Sequence, residues 1–278
     1  MDNDAVIVTG ASSGIGHETA LLLAREGYTV FAGVRKEADR ERLEAEHERL
    51  RPIILDVTVP ADLSRAIESV KEQDVTLRGL VNNAGIAVAG PLEFLPLEDL
   101  RQQFEVNVFG PMAMAQAALP MLRENGGRIV FIGSIAGRIS APFVGPYSSS
   151  KAALAMLVDA LRQELASAGV GVSLLEFASV KTPIWEKGRA GKDATIAKMP
   201  GAVKYYGPLL NAIVKQTERE EEEGMDPAVI ARTVLQALRA PKPRERYVIG
   251  RKAQIQAVAA MLPAGTRDKL IKRTMGLP

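Results

Sequence analysis

A chain of 278 residues, 47% of them hydrophobic, carries ample apolar mass for one large buried core. Its 35 basic and 33 acidic residues leave a formal charge of +2, which gives no electrostatic reason to expect nucleic acid as a partner. With no cysteine there is no disulfide, thiolate nucleophile or cysteine-based metal site, and no metal is expected; with no basic leader and no apolar run near ~20 residues, the chain reads as soluble and cytoplasmic.

Ala5 to Thr9 is a short β-branched run stopped by glycine, and Gly14 to Arg25 carries apolar residues at helical spacing, so the opening predicts strand, tight turn, helix. Between them lies Thr9-Gly10-Ala11-Ser12-Ser13-Gly14-Ile15-Gly16. Glycines let a backbone approach a phosphate closely, and the N–H groups that open a helix offer it partial positive charge. The spacing is G-x-x-x-G-x-G rather than the commoner G-x-G-x-x-G.

Tyr28 to Val34 predicts a second strand ending at Arg35, Lys36 to Arg49 a solvated helix, and Pro52 to Leu55 a third strand running into Asp56-Val57. Pro60 to Gln73 follows as a helix with proline in its first position. Gly79 to Val81 is a fourth strand leading into Asn82-Asn83-Ala84-Gly85. A helix from Leu97 to Leu122 then puts Leu100, Phe104, Asn107 and Pro111 on one stripe. Pro111 has no N–H, so a regular helix would leave the Asn107 carbonyl free for another donor.

Gly127 to Ile132 is a fifth strand with Ser134 just past its end, and Val170 to Phe177 a sixth. From Thr182 to Gly224 the β/α rhythm is lost, and residues 183–225 read as a lid over the sheet. Asp226-Pro227 caps a helix to about Leu238, and Tyr247 to Ile249 adds a last strand. The tail, 251–278, is basic. Strands alternating with helices predict one α/β domain over 1–278 built on a doubly wound parallel sheet, with ligands bound beyond the carboxyl ends of its strands.

Tyr147-Ser-Ser-Ser-Lys151 places a phenol and an ammonium one helical turn apart. Half-ionising a tyrosine at neutral pH means lowering its pKa by roughly three units, about 4 kcal/mol. A cation about 4 Å away at an effective dielectric near 20 supplies that much, so the pair suits general acid/base chemistry. Beyond Lys151 this helix is apolar nearly all round, so it should be covered on both sides.

These pieces, in this order, resemble the short-chain dehydrogenase/reductases: Thr9 to Gly16, Asp56-Val57, Asn82 to Gly85, Asn107, Ser134, Tyr147-x-x-x-Lys151 and Thr182. The resemblance implies a Rossmann-like enzyme that transfers hydride between a nicotinamide cofactor and a carbonyl or alcohol. It assigns Tyr147 as acid/base, Ser134 as hydrogen-bond partner of the substrate oxygen, Lys151 as the ribose anchor that lowers the Tyr pKa, and the Asn107 carbonyl as holder of a relay water. It assigns cofactor contact to Gly10, Ser12, Ser13, Gly14, Ile15, Gly16, Asp56, Val57, Asn83, Ala84, Gly85, Tyr147, Lys151, Val180 and Thr182.

Phe177-Ala178 stands where the family usually has Pro-Gly; if φ > 0 is needed there, the nicotinamide loop must sit differently. The region after Thr182 looks most like the branch acting on retinoids, steroids and other lipophilic alcohols. Arg35 at the end of the second strand, where an acid would hold the ribose hydroxyls of NAD, favours NADP over NAD, although an arginine stacked on adenine would suit both.

Phe143, Ile184, Trp185, Met199, Tyr205, Tyr206, Leu209 and Leu210 are expected at the cofactor end, enclosing a bulky lipophilic substrate or packing the lid onto the sheet. The apolar strip on the Tyr147 helix predicts a homodimer or homotetramer, and the basic tail fits either an anionic membrane surface or a neighbouring subunit. A catalytically idle dinucleotide-binding sensor or scaffold is the alternative, but it has no use for a tyrosine beside a lysine.

Overall fold

The computed structural model describes residues 3–182, 199 and 201–275. Seven strands, β1 (Asp4–Val8), β2 (Thr29–Val34), β3 (Leu50–Ile54), β4 (Thr76–Asn82), β5 (Arg128–Ile132), β6 (Gly171–Phe177) and β7 (Arg246–Ile249), form one sheet in the order β3-β2-β1-β4-β5-β6-β7. Every pairing is parallel. All six residues of β2 are buried, as expected of a parallel strand covered on both faces.

Ten α-helices accompany the strands among the described residues: α1 (Gly14–Arg25), α2 (Glu37–Glu44), α3 (Pro60–Lys71), α4 (Leu97–Phe104), α5 (Gly110–Glu124), α6 (Gly145–Glu164), α7 (Ala202–Glu222), α8 (Pro227–Arg239), α9 (Arg251–Ala259) and α10 (Ala264–Thr274). The period-2 alternation of β1 shows how the layers divide. Ala5 and Ile7 join a core cluster with residues of α3, α5 and α6, whereas Val6 and Val8 join one with residues of α1 and α8. After β3 the chain crosses back over β1 to lay down β4, so the winding reverses between β1 and β4 and opens a crevice at their carboxyl ends.

Three elements depart from the sequence expectation. First, α2 stops at Glu44 instead of reaching Arg49. The third strand starts at Leu50, in register with Val30, and the turn that delivers it closes with the Leu50 N–H on the His47 carbonyl at 3.0 Å.

Second, the helix expected from Leu97 to Leu122 is broken by a π-helical turn, Glu105–Phe109. Pro111 offers no N–H, and the Gly110 N–H reaches five residues back to the Glu105 carbonyl. Gly110 also lets this turn lie against Val57, because a Cβ there would come within 2.6 Å of a Val57 methyl.

Third, the region after Thr182 contains a 21-residue helix, α7, that Gly207 and Pro208 hid from the sequence reading. Ile184 and Trp185 lie outside the described residues. The loop after β6 is held by a parallel bridge between Val180 and Met225, with the Met225 N–H on the Ser179 carbonyl and the Lys181 N–H on the Met225 carbonyl. Among the described residues Phe143 is the one non-glycine with positive φ, so Ala178 does without the conformation that a glycine would supply. The tail forms α9 and α10, which leave Ile255, Val258, Met261 and Leu270 exposed. No helix among the described residues is long and apolar enough to cross a membrane.

Candidate active site

The crevice between β1 and β4 is lined by the glycine-rich turn. Gly10 (φ 67°) and Gly14 (φ 57°) take left-handed conformations, and Gly16 is required by space, since a Cβ would lie 2.3 Å from the Gly10 carbonyl oxygen and 2.4 Å from Asn83 Nδ2. Ser13 is the N-cap residue of α1, yet its side chain caps nothing. The first-turn N–H groups of α1, Ile15 among them, therefore have no side-chain cap, which suits a phosphate.

Asn83 and Ala84 bind this turn to the end of β4. Both donate backbone N–H groups to Thr9 Oγ1 at 3.0 Å, and Asn83 Nδ2 donates to the carbonyls of Thr9 (2.9 Å) and Gly10 (3.0 Å). Gly85 lies beside the Asn107 carboxamide. On the other flank, Arg42 donates to the Ser12 carbonyl at 2.7 Å. Arg35 follows β2 directly, is exposed, and makes no ion pair among the described residues.

Asp56 sits past β3 with Oδ1 occupied by the Thr58 N–H (2.9 Å) and hydroxyl (2.7 Å). The side chains of Val57 and Val180 are buried in packing, so what they offer a ligand is main chain; Thr182 is half-buried. The left-handed glycines and the uncapped start of α1 fit a dinucleotide pyrophosphate.

The second group lies at the ends of β5 and α6. Ser134 opens the short 3₁₀ turn Ile135–Gly137, its Oγ accepting the Ala136 N–H at 3.1 Å. That leaves its own proton free to donate, and a side-chain hydrogen bond joins it to Tyr147 in the first turn of α6. Dense surroundings push the Tyr147 phenol up from its ordinary value, and the Ser134 bond draws it partly back. One turn on, Lys151 donates to the Ile132 carbonyl at 2.8 Å, and burial pushes its ammonium down to about 8.

Sequence spacing led us to expect an ammonium about 4 Å from the phenol, lowering its pKa. Instead the phenol is raised: Lys151 Nζ lies over the Tyr147 ring, 5.8 Å from its centroid, and desolvation dominates both groups.

Asn107 is fully buried. Its Oδ1 accepts the Ile86 N–H (2.9 Å) and its Nδ2 donates to the Ile86 carbonyl (3.0 Å) and to Ser150 Oγ (3.2 Å). Ser150 in turn donates to the Tyr147 carbonyl at 2.7 Å. The Asn107 side chain thus ties the loop after β4 to α6, while its main chain lies in the π-helical turn. Gln103, one turn earlier, holds the same loop to α4, accepting the Val88 N–H at 2.6 Å and donating to the Ile86 carbonyl at 2.9 Å. Sequence reasoning missed Thr9, Arg42, Gln103 and Ser150 as supports; only the four-residue spacing of Gln103 and Asn107 was there to be read.

Phe143, four residues before Tyr147, packs edge-on against Tyr206 at 5.5 Å, and Phe94 stacks on Tyr205 at 6.0 Å. Tyr206 also donates to Glu93 at 2.8 Å. Met199 is buried against Leu95 and Ala202, so it packs the segment down, and Tyr205 is 64% exposed and closes nothing. Leu209 and Leu210 are half-buried in α7.

Residues 4–193 match the model of the short chain dehydrogenase family, and the chain belongs to that family. It is therefore a nicotinamide-dependent oxidoreductase that moves a hydride between cofactor and a carbonyl or alcohol carbon. It is similar to the NADPH-dependent 3-dehydrocapnine reductase of Ornithobacterium rhinotracheale, 34% identical over 279 residues covering 97% of this chain and 96% of that protein. It is also similar to human retinol dehydrogenase 5, 33% identical over 287 residues, 99% of this chain and 90% of that one. Among solved structures, a short chain dehydrogenase of Burkholderia cenocepacia J2315 in complex with NADP superposes with a TM-score of 0.72 at 26% identity, covering 99% of this chain and 98% of that one.

Proposed function

We propose that the chain is an NADP-linked oxidoreductase acting on a bulky, apolar ketone, aldehyde or alcohol. The observation that carries the reading is the hydrogen-bonded pair Ser134–Tyr147 with Lys151 one turn below it. Ser134 donates to the substrate oxygen, Tyr147 gives that oxygen its proton in reduction or takes it in oxidation, and Lys151 holds the nicotinamide ribose. The Asn107 main chain in the π-helical turn is our candidate for the proton's onward path. When bound, the nicotinamide supplies or takes the hydride.

Gly10, Ser12, Ser13, Gly14, Ile15 and Gly16 hold the pyrophosphate. Asp56 and Val57 flank the adenine, Asn83, Ala84 and Gly85 the adjoining ribose, and Val180 and Thr182 the carboxamide end. Arg35 faces the 2′-phosphate, which agrees with the names of the NADPH- and NADP-linked relatives. Residues 183–225 act as the lid, and Phe143 with Tyr206 supplies an apolar wall.

The test is NADPH oxidation with retinal, a 3-ketosteroid and a short polar hydroxyketone. Preference for the polar compound refutes the lipophilic reading; equal turnover with NADH refutes the cofactor choice.

Two further assignments complete the proposal for a cytoplasmic protein. Phe109 and Met156, 56% and 63% exposed on the π-helical turn and α6, are the core of a homodimer or homotetramer surface. The exposed Ile255, Val258 and Leu270 among the basic residues of 251–278 rest on an anionic membrane surface. Light scattering that reports a monomer at micromolar concentration removes the first, and vesicle co-sedimentation unchanged by deleting 251–278 removes the second.

A further inference from the structure

Four charges outside the site described above form a chain from β7 to the turn that carries Ser134. Arg138 follows that turn directly, with the Gly137 N–H on the Ser134 carbonyl at 3.0 Å and the Arg138 N–H on the Ile135 carbonyl at 2.9 Å. Its guanidinium grips Glu176 in β6 with both ends of the fork, Nε to Oε1 at 2.8 Å and Nη2 to Oε2 at 2.5 Å. Glu176 is 1% exposed. Arg246 approaches the same carboxylate at 3.3 Å and pairs at 2.5 Å with Asp159 of α6, which also faces Arg162 at 3.9 Å.

We infer that the Arg138–Glu176 pair positions Ser134 for the proton transfer, acting on rate rather than on cofactor binding. The inference rests on Ser134 and Tyr147 being the reacting pair. A two-pronged ion pair on a buried carboxylate fixes orientation as well as distance, which a single contact does not. The turn also has no room to slide along α6. A Cβ on Gly137 would come within 2.9 Å of the Lys151 carbonyl carbon and 3.0 Å of its oxygen. Ser134 Oγ is already committed to the Ala136 N–H of the same turn. Where the turn sits is therefore where the Ser134 hydroxyl sits, between the Arg138 bolt on one side and the Lys151 backbone on the other. Displacing a reacting group by about 1 Å costs on the order of 10²-fold in rate. No residue of the pair touches the glycine-rich turn, so the pyrophosphate contacts should not register its loss.

The experiment compares kcat, KM, the dissociation constant of NADPH and the thermal midpoint for the intact chain, using NADPH and whichever carbonyl compound of the panel above is turned over fastest. Glu176→Gln and Arg138→Met should each lower kcat by about 10-fold or more, with NADPH affinity held within about twofold. Arg138→Lys keeps the charge and loses the fork, so it should remain folded and still lose kcat.

The double variant Arg138→Met with Glu176→Gln separates positioning from stability. Arg138→Met leaves the buried Glu176 carboxylate with only the 3.3 Å contact to Arg246, and the double variant removes that carboxylate too, so the thermal midpoint returns toward that of the parent, while kcat stays low because the bolt is still missing. Single variants with kcat within about twofold of the parent overturn the inference, as does a double variant whose kcat recovers in step with its midpoint. Ser134→Ala is the control. If it retains full activity, the reading of the site fails and the inference with it; if it is inactive while the pair variants are not, the inference alone fails.

Discussion

Lys151 donates its ammonium proton to the carbonyl oxygen of Ile132 at 2.8 Å, on the floor of the site below Tyr147. This one bond does not repay the burial of a charge, and the ammonium falls from an ordinary 10.5 to about 8.

The first prediction is a gain in stability on removing that charge. Because the folded pKa lies below the unfolded one, the unfolded chain binds the extra proton between about pH 8 and 10.5, and stability rises with pH across that window. Below pH 8 the penalty is fully present. Lys151→Met, measured without cofactor at pH 7, should be more stable by about 1–3 kcal/mol, the gain fading as pH approaches 10.5, while activity is lost. Thermal unfolding across pH 7 to 10 checks this; a destabilised variant at pH 7 contradicts it.

The second prediction concerns Tyr147. Burial raises the phenol, so it stays protonated through neutral pH, and carbonyl reduction should be flat there, while alcohol oxidation, which needs the phenolate, should climb into the alkaline range. Ser134→Ala removes the bond that lowers this pKa and should push the oxidation limb to still higher pH. Tyr147→Phe should lose about 10²-fold or more in kcat with NADPH affinity nearly intact. A Phe variant that keeps most of its activity, or an oxidation limb that moves to lower pH in Ser134→Ala, refutes the assignment.

The fold was legible because its signals are local. Ala5 to Val8, the glycines at 10, 14 and 16 and the alternation to Phe177 each report on a strand or turn through their own side chains. The joining residues of the site were not legible. Nothing in the sequence says that Gln103 and Asn107 will both seek Ile86, since a carboxamide on a helix looks solvated until the loop after β4 is laid against it. The phenol pKa was misread for a related reason. Spacing sets which residues share a helix face, but the dielectric around them depends on everything packed nearby. The long helix α7 was missed because Gly207 and Pro208 are poor helix formers, and tertiary contacts through Phe94 and Phe143 outweigh that propensity.

The third prediction is steric. A methyl at Gly16 meets backbone oxygen at 2.3 Å and an amide already bonded to Thr9 and Gly10, neither of which can yield without opening the turn. Gly16→Ala should therefore weaken NADPH binding by about 10-fold or more and lower the thermal midpoint as well, since cores and turns packed this closely cost about 1–3 kcal/mol to overfill. Fluorescence titration with NADPH decides it, and unchanged affinity rules out the close approach.

The last prediction is cofactor choice, and it turns on the residue that follows β2. Arg35 is exposed and makes no ion pair among the described residues, so its guanidinium is available to an incoming group rather than spent on the fold. Arg42 on the same flank holds the Ser12 carbonyl but is paired with Glu46 at 2.5 Å, so among the described residues the unpaired charge there is that of Arg35. A 2′-phosphate gains a charge-assisted, two-pronged partner there, worth roughly 1.5–3 kcal/mol, whereas the two hydroxyls of NAD gain little. Arg35→Asp reverses both terms, since a carboxylate repels the phosphate and accepts from the ribose hydroxyls. The ratio of NADH to NADPH dissociation constants should fall by about 10- to 100-fold, mostly through weaker NADPH binding, with kcat on saturating cofactor little changed because the substitution is remote from Ser134 and Tyr147. Titration of parent and variant with both dinucleotides at fixed ionic strength measures this, and an unchanged ratio means that Arg35 stacks on the adenine instead of reading the phosphate.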